Sequence, residues 1–470
     1  MTDRAVPLGL SSRDQDRMAE VQRLTQLGVG GIHELIALLG DPSWVVRRAV
    51  VASLARLGEP AIAQLCIVLQ TDRTSEARVA ATVDALVASG GEVETAVLAM
   101  GASANDAAVV CDAAQILGRR KSRVAVPALS EWVGHTDDNV AVAAIEALGR
   151  IGGTAAVEPL LAALRTKNFF RTFPAIAVLG QSADPRVVEP LVGLLDDPHY
   201  AGEAASALGR SGHIHAVAPL TRLLPHAHHG LARTAARALT ELRTRNLERT
   251  GDAEAVLSAV RDAASDLDDR GAIKRALQGA DSTDTIAIAT VLSWMHDETG
   301  VAALLGLLDA DAKTAEAAID ALRNIGQEND ALLRGAIRNG DSARRARLLP
   351  LLGARRSVVG DLVICLKDPD PAVRTQACDA LARIGDPSIV AELFTVIGDL
   401  DARVSQAAIG AVQSLGSNDA KSHALIAARS PDLRTRRAAL RILSYFGYPE
   451  GLDVLLEAIV DSDERIRDAA

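Results

Sequence analysis

The sequence predicts an all-α chain, an α-solenoid: a right-handed superhelix of about thirteen helix pairs with a half repeat at each end. Three observations carry that. In the stretch 125–152, Val126, Leu129 and Val133 share one face at helical spacing. After a break at 134–137, Val140, Ala143, Ala144, Ala147 and Leu148 form a second apolar stripe. Two helices of about three turns cannot bury their own apolar faces, so such a unit needs neighbours. The second observation is a column equivalent to Leu148: Leu54, Leu86, Leu117, Leu179, Leu208, Leu239, Leu292, Leu322, Leu352, Leu381, Val412 and Leu443. Its steps are 29–32 residues, apart from one of 53 between Leu239 and Leu292. The third is a column eleven residues earlier: Ser43, Ser75, Asp106, Asp137, Asn168, Asp197, His228, Asp281, Asp311, Asp341, Asp370, Asp401 and Asp432. All but His228 are short polar residues that accept the free N–H groups of a helix start.

In chain order, residues 1–17 read as a flexible N-terminus and 18–470 as the solenoid. Residues 18–28 resemble a lone second helix, with Leu24 to Gly28 matching Leu54 to Gly58, and would cap the stack. Pro127, Pro159, Pro190 and Pro219 fall in the first turns of first helices, where the missing N–H is harmless. Pro174 and Pro350 lie deeper, in the second helices of repeats five and ten, and are expected to kink them. The long step implies an inserted segment at about 243–265, with a helical centre and charged flanks. At the C-terminus, Asp463 restarts a second helix, so 454–470 reads as a half repeat exposing Val454, Leu455, Ala458, Ile459 and Ile466, through which the chain is expected to associate unless it continues.

One stretch reads Asp368-Pro369-Asp370-Pro371-Ala372-Val373-Arg374, then Ala380-Leu381-Ala382-Arg383-Ile384-Gly385-Asp386. This resembles the HEAT-repeat family, in the short form called the phycobilisome-lyase HEAT-like repeat. The resemblance covers residue 18 to the end. It implies the fold; the matching residues are caps, core and turns, so it assigns no activity.

Composition narrows the classes. The apolar fraction is 49% and aromatics only 2%, so the core is built from Ala, Leu, Val and Ile. A net charge of −10 argues against nucleic acid as the partner, which needs a basic footprint. Cys66, Cys111, Cys365 and Cys378 sit in apolar helical contexts without a C-x-x-C pair and read as buried free thiols of a reducing compartment. No run suits a signal peptide or a membrane span. A cytoplasmic protein with no membrane partner is expected.

Residues for catalysis are hard to find. There is no P-loop, nucleophile elbow or H-E-x-x-H. Deoxyhypusine hydroxylase, an iron enzyme that resembles this fold, uses several His-Glu pairs; this chain has the single pair His33-Glu34. The carboxylate pairs Asp137-Asp138, Asp196-Asp197 and Asp268-Asp269 fall in turns or charged flanks and read as caps. No catalytic residue, metal ligand or cofactor is assigned.

Uneven composition points elsewhere. Phe169, Phe170 and Phe173, three of five phenylalanines, occupy the turn and second-helix start of repeat five. His199, Tyr200, His226, His228 and His229 share that edge in repeats six and seven. None of the three Phe positions matches a core position, although Tyr200 aligns with Val140. Exposed aromatics are favoured interface anchors, so these eight residues form the candidate partner-binding site; the other reading of the phenylalanines is that they fold back to cover a repeat joint around Pro174. Imidazoles also suit metals, but no standard ligand spacing occurs. A second candidate is basic: Arg334, Arg338, Arg344, Arg345, Arg347, Arg355 and Arg356 crowd repeat ten, where an acidic segment or phosphate would fit; a solvated face is the plainer reading. The function expected is a non-catalytic protein-interaction scaffold. The alternative is a subunit of a phycobilin-lyase-like chromophore or protein-modifying enzyme.

Overall fold

Repeat four shows how the unit is built. In its first helix, Val126–Val133, Leu129, Trp132 and Val133 are buried. In its second, Asp138–Ile151, Val140, Ala144, Ala147 and Leu148 are buried. Asp137 Oδ1 accepts the N–H of Asn139 at 2.8 Å and starts the second helix. Gly152, with φ 65°, ends it in a conformation that glycine adopts without strain.

The computed structural model describes residues 11–267, 270–323, 330–352, 356–416 and 418–470. Among them are helices and turns and no strand. The chain divides into two units, Met1–Leu220 with Glu241–Val256, and Thr221–Thr240 with Leu257–Ala470. Within each, a second helix packs on the second helices of the preceding and following repeats. All thirteen marker residues are 1% exposed or less. Burying each leucine side chain stabilises by about 2 kcal/mol. The second helices approach closely because small residues meet: a Cβ added to Gly118 would lie 2.7 Å from Ala147 Cα, and one added to Gly180 would lie 2.7 Å from Ala207 Cα.

Ten members of the cap column accept a first-turn N–H through the side chain, among them Asp311, Asp370, Asp401 and Asp432, while Asp197 accepts the N–H of His199 in the turn before Ala201–Ser211. Ser43 does not; its own N–H donates to Asp41 Oδ1 at 2.8 Å. That bond belongs to a further column, two residues before the cap. Asp368, Asp399 and Asp461 likewise accept the cap N–H, at 2.8–2.9 Å. Each also receives an arginine from the preceding repeat's second helix: Arg345 on Asp368, Arg374 on Asp399 at 2.8 Å, and Arg436 on Asp461 at 3.4 Å. Arg17 reaches Asp41 at 3.3 Å in the same way. One carboxylate thus fixes its own turn and ties two repeats together.

Two segments differ from the sequence expectation in detail. The N-terminal helix is Ser12–Gln26 and takes in the last part of the segment expected to be flexible, because Ser11 Oγ accepts the N–H of Asp14 at 3.1 Å. Pro174 and Pro350 lie inside the helices Phe169–Leu179 and Ser342–Leu352, at the depth the sequence implies. Near the C-terminus, Val454, Ala458 and Ile466 are buried rather than exposed, because Leu452–Ile459 packs on Leu433–Phe446 and Glu464–Arg467. The outward residues there are Leu452, Leu456, Ile459 and Val460. Across the expected insert, one helix runs His229–Thr250 and another Ala255–Ser265.

Candidate partner-binding edge

The edge begins with a cap. Asn168 Oδ1 accepts the N–H of Phe170 at 2.9 Å and starts the helix Phe169–Leu179. Phe169 and Phe170 therefore stand in its first turn, and Phe173 lies one turn on, four and three residues later, on the same side. Phe169 is 52%, Phe170 63% and Phe173 40% exposed. The Phe169 ring meets Phe170 edge-on at 5.9 Å between centroids and Phe173 at 5.6 Å. Tyr200, at the start of the next second helix, is 7% exposed, and its ring lies 6.2 Å from Phe169 at an interplanar angle of 23°. Tyr200 is thus a core residue supporting an exposed cluster, as its alignment with Val140 implies.

The inner side of the same turn is polar and anchored. Arg171 Nη2 donates to the carbonyl of His135 at 2.7 Å, and its Nε to Asp138 Oδ1 at 2.9 Å. Asn168 Nδ2 reaches Asp138 Oδ1 at 3.2 Å. Thr172 is fully buried. The helix therefore holds three aromatic rings outward against a fixed base.

The histidines divide. His199 is exposed, and its N–H donates to Asp197 Oδ1 at 2.9 Å. His226, His228 and His229 belong to the second unit. There the rings of His226 and His228 lie 5.5 Å apart, and His226 Nδ1 accepts the N–H of His228 at 3.1 Å. His213, outside the predicted site, is buried in the first unit with Nε2 3.0 Å from the carbonyl of Ala183 and Nδ1 3.4 Å from Arg249. Burial, then the Arg249 charge, pushes its pKa below the usual histidine value. Among the described residues, no three His, Cys, Asp or Glu side chains gather as metal ligands would.

Repeat ten uses its arginines internally. Arg334 and Arg338 both bind the carboxylate of Asp361, whose side chain is fully buried, the first at 2.6 Å. Arg345 binds Asp368, Arg347 the carbonyl of Leu308, and Arg344 the carbonyl of Leu305 at 2.7 Å. Arg356 is exposed, and Arg355 lies outside the described residues, as do Asp268 and Asp269. Burying a carboxylate demands paired cations, and this requirement accounts for Arg334, Arg338 and Arg345. Sequence reading missed His135, Arg171 and Asp361. The column two residues before the caps was the available signal for the first; the others bind groups more than twenty residues away.

A family model described as HEAT repeats matches residues 95–172, 174–241 and 361–425. A HEAT repeat model matches 32–60, and the PBS lyase HEAT-like repeat matches 435–461. No curated protein matches the chain. Among solved structures, human deoxyhypusine hydroxylase in complex with glycerol is 21% identical, with 64% of this chain and 99% of that one covered and a TM-score of 0.26. The karyopherin Kap121p, bound to the extreme C-terminus of the protein phosphatase Cdc14p, is 11% identical, with 98% of this chain and 52% of that one covered and a TM-score of 0.42. This chain therefore spans about half of that karyopherin. A homology model of the full-length AP-3 complex is 12% identical, with 94% of this chain and 88% of that one covered and a TM-score of 0.52. At such identities the likeness is one of fold. Among the described residues, no helix is long and apolar enough to cross a membrane.

Proposed function

Because this chain is a HEAT-repeat protein, we propose that it is a non-catalytic scaffold that holds a protein partner, with the aromatic edge of repeat five as its principal contact. One observation carries the reading: in a chain with 2% aromatics, three phenylalanines stand together and 40–63% exposed on an anchored helix start. Folding gains little from rings left in water, whereas burying each against a partner stabilises by about 2 kcal/mol. Tyr200 supports the cluster from within, and His199 adds a polar neighbour on its rim. His226, His228 and His229 enter the proposal as a separate contact of the second unit. The arginines of repeat ten are given no partner role, since most of them are already engaged. The lyase alternative rests on 435–461, where the matched positions are a helix, a turn and core.

Affinity capture with the full chain, identified by mass spectrometry, supplies the partner. Titration of the Phe169→Ala, Phe170→Ala double variant then tests the edge. Affinity should fall roughly tenfold or more, which is ~1.4 kcal/mol, with an unchanged melting midpoint. Unchanged affinity with a lowered midpoint would make the rings a structural cover and end the contact-site reading.

A further inference from the structure

The aromatic edge is fastened to the turn of repeat four, and a histidine holds that turn. His135 Nδ1 accepts the N–H of Asp137, the cap of the following helix, at 3.0 Å. In other repeats the acceptor two residues before the cap is a carboxylate: Asp41, Asp368, Asp399 and Asp461, at 2.8–2.9 Å. Thr166 and Ser430 fill the slot with a hydroxyl, at 3.3 and 3.2 Å. Among the described residues imidazole fills it at His135 and at His226. The chemical difference is decisive. A carboxylate or hydroxyl still accepts throughout the physiological range, while an imidazole protonated at Nδ1 becomes a donor and cannot.

We infer that His135 is a proton-sensitive latch behind the aromatic edge. Neutral, it holds the turn whose carbonyl at His135 and carboxylate at Asp138 anchor Arg171 and Asn168, the residues flanking Phe169 and Phe170. Protonated, it releases the Asp137 N–H. The charges set around this turn are the carboxylates of Asp137 and Asp138 and the guanidinium of Arg171, with Glu131 exposed at the end of the preceding helix and the Cys111 thiol near Asp137 from repeat three. The imidazolium is drawn to the Asp137 carboxylate, the acceptor of the Asn139 N–H. Acidification therefore loosens the base of the edge. The regulatory meaning rests on the contact-site reading above; the latch does not.

The test is backbone amide exchange of the full chain by mass spectrometry at pH 5.5, 6.5 and 7.5, with intrinsic rates divided out. In the wild type, segments 136–141 and 168–173 should lose protection roughly fivefold at pH 5.5, the equivalent of one hydrogen bond. His135→Asp places in the slot the group that Asp368 uses, so its protection should be flat across the range. A flat wild-type profile overturns the latch, and so does an equal drop in His135→Asp. The readout needs no partner, so failure of the Phe169 and Phe170 binding test leaves it standing, and the two readings fail separately.

Discussion

Whether a glycine in a second helix is a packing requirement or a local weakness depends on what lies above it, and two positions give opposite signs. Gly118 lies in the helix Ala107–Arg119 and faces repeat four. A methyl there would sit 2.7 Å from Ala147 Cα and 2.9 Å from Ala147 Cβ. These are backbone and Cβ atoms that no rotamer change can move, so the two helices must part. Overpacking of this kind costs about 1–3 kcal/mol. Against it stands the helix-propensity gain of alanine, about 0.5–1 kcal/mol, at the low end so near a helix terminus. Gly118→Ala should therefore destabilise by ~1–2 kcal/mol. Gly410 lies inside the helix Ala402–Leu415, exposed, with no heavy atom within 4 Å of an added Cβ. Gly410→Ala keeps only the gain and should stabilise by about 0.5–1 kcal/mol. Urea denaturation followed by circular dichroism reads the sign for each variant. Hydrogen exchange places the Gly118→Ala loss in repeats three and four, since stability in a stack is shared between nearest neighbours. If both variants raise the urea midpoint, close approach of the second helices is not what holds repeats three and four together.

The acid limit of stability follows from the caps. The Arg403 side chain and helix N–H groups hold Asp401 at about 2, and Arg186 with its own N–H does the same for Asp184, also at about 2. Depressed carboxylates stabilise above the unfolded pKa of ~3.9 and lose that contribution as pH falls through the folded value, so the melting midpoint should drop between about pH 4 and 2. Burial pushes Cys66 and Cys365 up to about 11 and Cys378 to about 12, so these thiols stay protonated at pH 8. Iodoacetamide at pH 8 should label them only as the repeats open; rapid labelling in the absence of denaturant would contradict their burial.

The sequence by itself determined the period, the cap column and the buried face, because all three are local. A leucine every 29–32 residues and an acceptor eleven residues before it are set by the turn of a helix, and all thirteen leucine-column positions proved buried. The exposure of Phe169, Phe170 and Phe173 was legible for the same reason: counted from Asn168, they fall off the core positions. Even so, counting alone misplaced Val454, Ala458 and Ile466, which neighbouring helices cover. Only the tertiary structure decided which polar groups are free. Seven arginines in one stretch read as a basic surface, yet Arg345 crosses to Asp368 and two others converge on Asp361. Arg171 looks like one more charge among the phenylalanines until stacking sets it against Asp138, 33 residues away. A helix face is fixed by the order of residues along one segment. The partner of a long charged side chain is fixed by which turn the next repeat brings within a few ångströms, and by the cost of leaving a buried carboxylate without one.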